Sequence, residues 1–145
     1  MRHHRVLRVV SKFLIPFIML FGLYVQFHGD FGPGGGFQAG VIFAAAIILY
    51  AIVFGLDHAI KVAPPRIVTK FVAIGLILYI LVGVASMLLG GEFLNYSVLG
   101  STQQGGQHLG IFLVELGVGI TVAATITTIF YYFAGYRGLG DEGKE

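Results

Sequence analysis

The 145-residue sequence contains no cysteine, which excludes disulfides, thiolate metal sites and cysteine nucleophiles. Charge is scarce as well: 11% of residues are Asp, Glu, Lys or Arg, against roughly 25% in an ordinary soluble domain. A soluble chain of this size buries only about two-thirds of its unfolded surface and needs more polar cover. The sequence pI near 9.0 does not point to nucleic acid, because the basic residues flank apolar runs instead of forming a surface stripe. No nucleophile–base pair, metal-ligand spacing or cofactor motif is visible, so neither a stand-alone enzyme nor a bound cofactor is expected.

Long apolar runs fill the space that charge leaves. A bilayer core about 30 Å thick requires about 20 apolar residues of helix. Four stretches qualify, over residues 9–27, 37–56, 67–89 and 108–133. The expected fold is therefore all-α: an integral membrane protein of four transmembrane helices (residues 1–136) and a solvated tail (137–145). Pro16 falls inside the first span and is expected to bend it locally by freeing a backbone carbonyl.

Orientation follows from the nine Lys and Arg residues. They lie at the N-terminus (Arg2, Arg5, Arg8, Lys12), around the second connection (Lys61, Arg66, Lys70) and in the tail (Arg137, Lys144). The first and third connections have none and carry Asp30 and Glu92. The positive-inside rule then places both ends in the cytoplasm, N-in and C-in. Tyr131, Tyr132 and Tyr136 close the fourth span, where amphipathic rings suit the headgroup zone.

The first connection is rich in glycine. It reads His28-Gly-Asp-Phe-Gly-Pro33-Gly34-Gly35-Gly36-Phe37-Gln38-Ala-Gly40. Glycine permits positive φ and close backbone approach, and the helix that follows carries a partial positive charge at its start. The segment can line an ion entrance, pack beneath a neighbouring backbone, or simply turn the chain. It is not a phosphate loop, since the Lys-Ser/Thr ending is missing and no strand precedes it. Residues 35–43 also resemble residues 105–113, which suggests a parallel repeat of two-helix halves.

Glu115 is the acidic residue set well inside a span. An ionised carboxylate at that depth needs water, a cation or a basic group beside it; otherwise it is expected to be protonated. Either state suits a site that exchanges H+ or Na+. The structural alternative is a neutral Glu hydrogen-bonded to a neighbouring helix. His108, seven residues earlier and on nearly the same face, offers a second relay step, or merely an interfacial group. On the opposite face Gly117, Thr121, Ala124, Thr125 and Thr128 form a small, hydroxylated stripe. Such a stripe is suited to close helix packing with hydrogen bonds across the contact.

The segment from His28 to Gln38, followed by Gly40, closely resembles the signature of the MnhB/MrpB family. The likeness extends to the run from Gly110 to Gly119, and four helices of this length match the family over nearly the whole chain. The resemblance implies a small membrane subunit of the Mrp multisubunit Na+/H+ antiporter, an assembly similar to the membrane arm of respiratory complex I. It also implies a multi-pass place in the cell membrane, with the other Mrp subunits as hetero-oligomeric partners and Na+ and H+ as transported species. In that family the small subunits help form the ion route and hold the complex together. The matching positions are His28, Pro33 to Gln38, and Glu115. Gly32 stands where the family often has serine, which removes any hydroxyl role there. Two other readings stay open: a purely structural scaffold, and the equivalent subunit of an ion-pumping membrane-bound hydrogenase.

Overall fold

The computed structural model describes residues 5–29 and 32–135. The tail at 137–145, Tyr136, Arg2, and Asp30 and Phe31 of the glycine-rich connection lie outside the described residues. Among the described residues five α-helices follow in order: α1 (Arg5–His28), α2 (Gly36–Phe54), α3 (Leu56–Val62), α4 (Pro65–Leu88) and α5 (Gln103–Phe133), with a 3-10 turn at Tyr96–Val98. Of these, α1, α2, α4 and α5 are long and apolar enough to cross a membrane. The chain is an all-helical, multi-pass membrane protein.

Local chemistry sets the boundaries. The second apolar run is expected to continue to Leu56, but α2 stops at Phe54 because Gly55 takes φ 104°. That left-handed conformation is cheap only for glycine. It redirects the chain into α3, a short helix absent from the four-span expectation. Asp57 in the first turn of α3 and Lys61 in its last both complement the helix dipole. Pro65 opens α4 at a position where its missing N–H is no loss. Thr102 caps α5 by accepting a hydrogen bond from the Gly105 N–H at 3.1 Å, so this helix begins five residues before the expected start at 108. Residues 105–113 therefore lie wholly inside α5, whereas Gly35 precedes α2; the two similar segments do not share one local structure. Pro16 is accommodated within a continuous α1.

The four long helices are arranged around the pair α2–α5. α1 packs on α2, α4 packs on α5, and α1 touches α5 only lightly. The core is made of small residues, with Ala39, Ala44, Ala46 and Ala51 of α2 all buried. One large side chain completes it. Tyr131 is 1% exposed, and its hydroxyl lies 3.0 Å from the Ala63 carbonyl and 3.3 Å from that of Ala59. This corrects the expectation of an interfacial ring: Tyr131 ties α5 to α3, while Tyr132 is 54% exposed and lies on the surface.

With 31 residues, α5 is about 46 Å long at 1.5 Å per residue, well beyond the thickness of a bilayer core. Beside its first turns the α4–α5 connection folds back, and the Tyr96 ring lies where a side chain at Gly110 would stand. Burial, and secondarily the Tyr79 phenol, hold Tyr96 above the ordinary tyrosine pKa.

Candidate functional site

The site forms where the end of α1, the start of α2 and the middle of α5 meet. The last turns of α1 carry Tyr24 and His28, whose rings stack with centroids 5.2 Å apart and planes at 14°. The chain leaves α1 at Gly29 and returns through Pro33 and Gly34. The Gly35 N–H then donates to the Val25 carbonyl at 3.3 Å, docking the returning segment on α1. Gly35 takes φ 112°, a conformation that a side chain would strain, and its carbonyl accepts from the Ala39 N–H at 3.1 Å to begin α2.

Glu115 enters this turn from α5. A Cβ placed on Gly29 would lie 2.6 Å from Glu115 Oε2, and one on Gly35 would lie 2.8 Å from Oε1. A Cβ on Gly36 would strike the Glu115 main-chain carbonyl. At Gly29 and Gly35 the half-buried Glu115 side chain thus meets main chain. It also lies beside the start of α2, where the unsatisfied first-turn N–H groups carry partial positive charge. Sequence reasoning treats the glycine-rich connection and Glu115 as separate features; the fold brings them into contact.

The other residues of the motif are differently disposed. Pro33, Phe37 and Gln38 are exposed, whereas Gly35 and Gly36 are buried. His28 lies under the turn, with Nε2 3.1 Å from where a Cβ on Gly32 would stand. His108 is exposed in the second turn of α5, about 10 Å along the helix axis from Glu115.

A second face of α5 meets α4. A Cβ on Gly75 would lie 2.5 Å from the Gly117 carbonyl and would collide with the Thr121 hydroxyl, and one on Gly117 would lie 2.8 Å from the Gly75 carbonyl. The helices touch backbone to backbone at this crossing. The hydroxyls do not bond across it as expected. Thr121 donates to Gly117 and Thr128 to Ala124, at 3.0 and 2.8 Å, both within α5. Back-bonding to the fourth preceding carbonyl satisfies a hydroxyl without help from a neighbouring helix. Ala124 packs in the core with Tyr131, Thr125 is half-buried, and Thr127, outside the expected stripe, is fully buried and donates to Ala123 at 2.7 Å.

Gln26 is the polar residue that sequence reasoning overlooks. It is 5% exposed, and its amide nitrogen has no hydrogen-bond partner. Its oxygen lies 2.7 Å from where a Cβ on Gly119 would stand, and the Gly36 carbonyl oxygen lies 3.1 Å from the same point. Gly119 is one helical turn from Glu115. A lone amide late in an otherwise apolar run was the available signal. Beyond Gln26 an apolar cleft of about 520 Å³ runs between α1, α2, α4 and α5, past Gly119, Ala123 and Thr127 to Val62 and Pro64. Among the described residues no three His, Asp or Glu side chains cluster so as to hold a metal ion.

Comparison with known proteins adds relatives to this geometry. Residues 6–128 match the family model described as a domain related to the MnhB subunit of Na+/H+ antiporter. The chain is 35% identical over 133 residues to a Staphylococcus haemolyticus protein that bears the provisional name antiporter subunit mnhB2, covering 90% of this chain and 94% of the relative. It is 34% identical over 133 residues to an Alkalihalophilus pseudofirmus protein named as a Na(+)/H(+) antiporter subunit, covering 85% and 89%. With the protein of the same name from Bacillus subtilis the identity is 31% over 131 residues, covering 83% and 91%.

Proposed function

The chain belongs to the MnhB family, and on that premise we propose that it forms part of the ion route of a multisubunit Na+/H+ antiporter, with Glu115 as the group that takes up and releases the ion. The membrane-subunit role is the family's. The assignment of Glu115 is carried by one observation: its carboxylate lies 2.6 and 2.8 Å from the positions that side chains on Gly29 and Gly35 would occupy. What supports the reading is the place of the group beside a helix start, with Gly29 and Gly35 against its oxygens. His108, exposed about two turns nearer the start of α5, serves as an earlier step toward the surrounding water.

The remaining groups of the route come from the other subunits of the antiporter, since a single carboxylate on four spans does not build a transport path alone. The work is ion exchange driven by gradients, not catalysis. In this reading the glycine-rich turn faces outward, and the basic end of the bundle faces the cytoplasm.

Glu115→Gln keeps size and hydrogen bonding but cannot titrate. In the assembled antiporter, reconstituted in vesicles, it is expected to lower Na+/H+ exchange at least tenfold while the complex still assembles. Exchange at the normal rate would favour the scaffold reading, in which Glu115 only joins helices.

A further inference from the structure

We propose that the apolar cleft beside α5 binds one anionic phospholipid, with an acyl chain in the cleft and the phosphate at the end marked by Lys61, Arg66 and Lys70. The site is separate from the glycine-rich turn and does not depend on the role given to Glu115.

The cleft has the dimensions of a hydrocarbon chain. Its wall on α5 runs from Leu116 to Thr127, about 17 Å along the helix axis at 1.5 Å per residue. Spread over about 17 Å, the volume of about 520 Å³ gives a mean cross-section of about 30 Å². A helix with its side chains is about 10–12 Å across and takes about 80–110 Å², so it cannot enter. Hydrocarbon chains lie side by side at about 4–4.5 Å, and one of them fits. The lining suits it: Ile47, Val68 and Ile120 are apolar, and Thr127 donates its hydroxyl hydrogen to the Ala123 carbonyl. An apolar cavity stays dry, and an empty one forfeits the dispersion contacts of its walls. In a bilayer the filler at hand is a lipid tail.

Tails alone would give no preference, because the surrounding lipid is equally apolar. Charge at one end supplies it. There the cleft is lined by Val62, Ala63, Pro64, Ile67 and Phe71. Lys61 precedes Val62, Arg66 precedes Ile67 and Lys70 precedes Phe71, and all three basic residues are exposed. Asp57, one turn before Lys61 in α3, is the one acid in the segment 56–71, so positive charge prevails. Here α4 also begins, at Pro65 and without a side-chain cap, and its first-turn N–H groups add partial positive charge. The bonds from Tyr131 to the Ala59 and Ala63 carbonyls fix the Lys61 segment beside the cleft. Basic residues clustered at a helix end in this way attract anionic headgroups.

The test uses the assembled antiporter with the photo-crosslinker p-benzoylphenylalanine at Ile120, in the middle of the lining. The complex is reconstituted in vesicles of equal parts phosphatidylglycerol and phosphatidylcholine and irradiated, and the adducts are identified by mass spectrometry. The probe is expected to capture phosphatidylglycerol over phosphatidylcholine by about tenfold, the scale set by two or three basic residues near a headgroup. With Lys61→Gln and Lys70→Gln added, the two lipids are expected to be captured within about twofold of each other. An adduct to a peptide of another subunit overturns the proposal, because protein then fills the cleft. Equal capture of the two lipids, no lipid adduct, or a preference that the lysine substitutions leave unchanged overturns it as well. Should the probe at Ile120 prevent assembly, the same probe at Phe71, an exposed residue of the lining, is read in the same way.

Discussion

A methyl group added at Gly36 has nowhere to go, because the Glu115 carbonyl of α5 occupies its place. The neighbour is backbone inside a helix and cannot swing aside as a side chain would. Overpacking of this kind destabilises by about 1–3 kcal/mol and often more. Gly36→Ala is therefore expected to reduce the amount of assembled complex severalfold on a native gel. Phe37→Ala, at the adjacent position of the same motif, is expected to leave the amount unchanged, because Phe37 is exposed. Equal losses from both would mean that the motif serves a partner surface and not the Glu115 wall. Residue by residue, the glycines stood out in the sequence, but their purpose did not. Glu115 lies about 80 positions away along the chain, and hydropathy carries no information about which distant main chain a glycine will meet.

At the scale of elements, hydropathy located the four long helices because a bilayer dictates one length and one composition. It missed the stop at Gly55 and the short α3, since both depend on a backbone dihedral that an apolar count does not register. Tyr131 shows the same limit. Its place at the end of a span suggested a headgroup ring, yet its hydroxyl reaches the carbonyls of Ala59 and Ala63, which lie in the segment that hydropathy treated as a plain connection. Tyr131→Phe removes that tether and leaves carbonyls to find other donors. The expected loss of stability is about 1 kcal/mol, read as a fall of a few degrees in the thermal midpoint of the purified complex. Tyr132→Phe, on the exposed side, should not move it. The hydroxylated stripe of α5 was likewise recognisable as a packing face. Its bonds run along the helix because the Gly75–Gly117 crossing leaves no distance for them to span.

For the whole molecule, the lack of native cysteine makes orientation directly testable. Glu92→Cys and Lys61→Cys place single thiols in the third and second connections, at residues exposed in the fold. A membrane-impermeant maleimide is expected to label the first from outside intact cells and the second only after the cytoplasmic face is opened. The reverse pattern would invert the bundle and turn the glycine-rich turn toward the cytoplasm. That arrangement would place every basic connection against the positive-inside rule.

The wall around Glu115 has a consequence for how such a site can vary. Where Gly29 and Gly35 meet the carboxylate the contact is main chain, and main chain offers no side chain to exchange. Substitution there can break the enclosure but cannot retune it. Relatives adapted to different salinity or alkalinity are expected to tune the carboxylate from positions other than these glycines, or from the subunits set against it. Diversity among them is expected at the outer faces of the bundle, with Gly29 and Gly35 held constant.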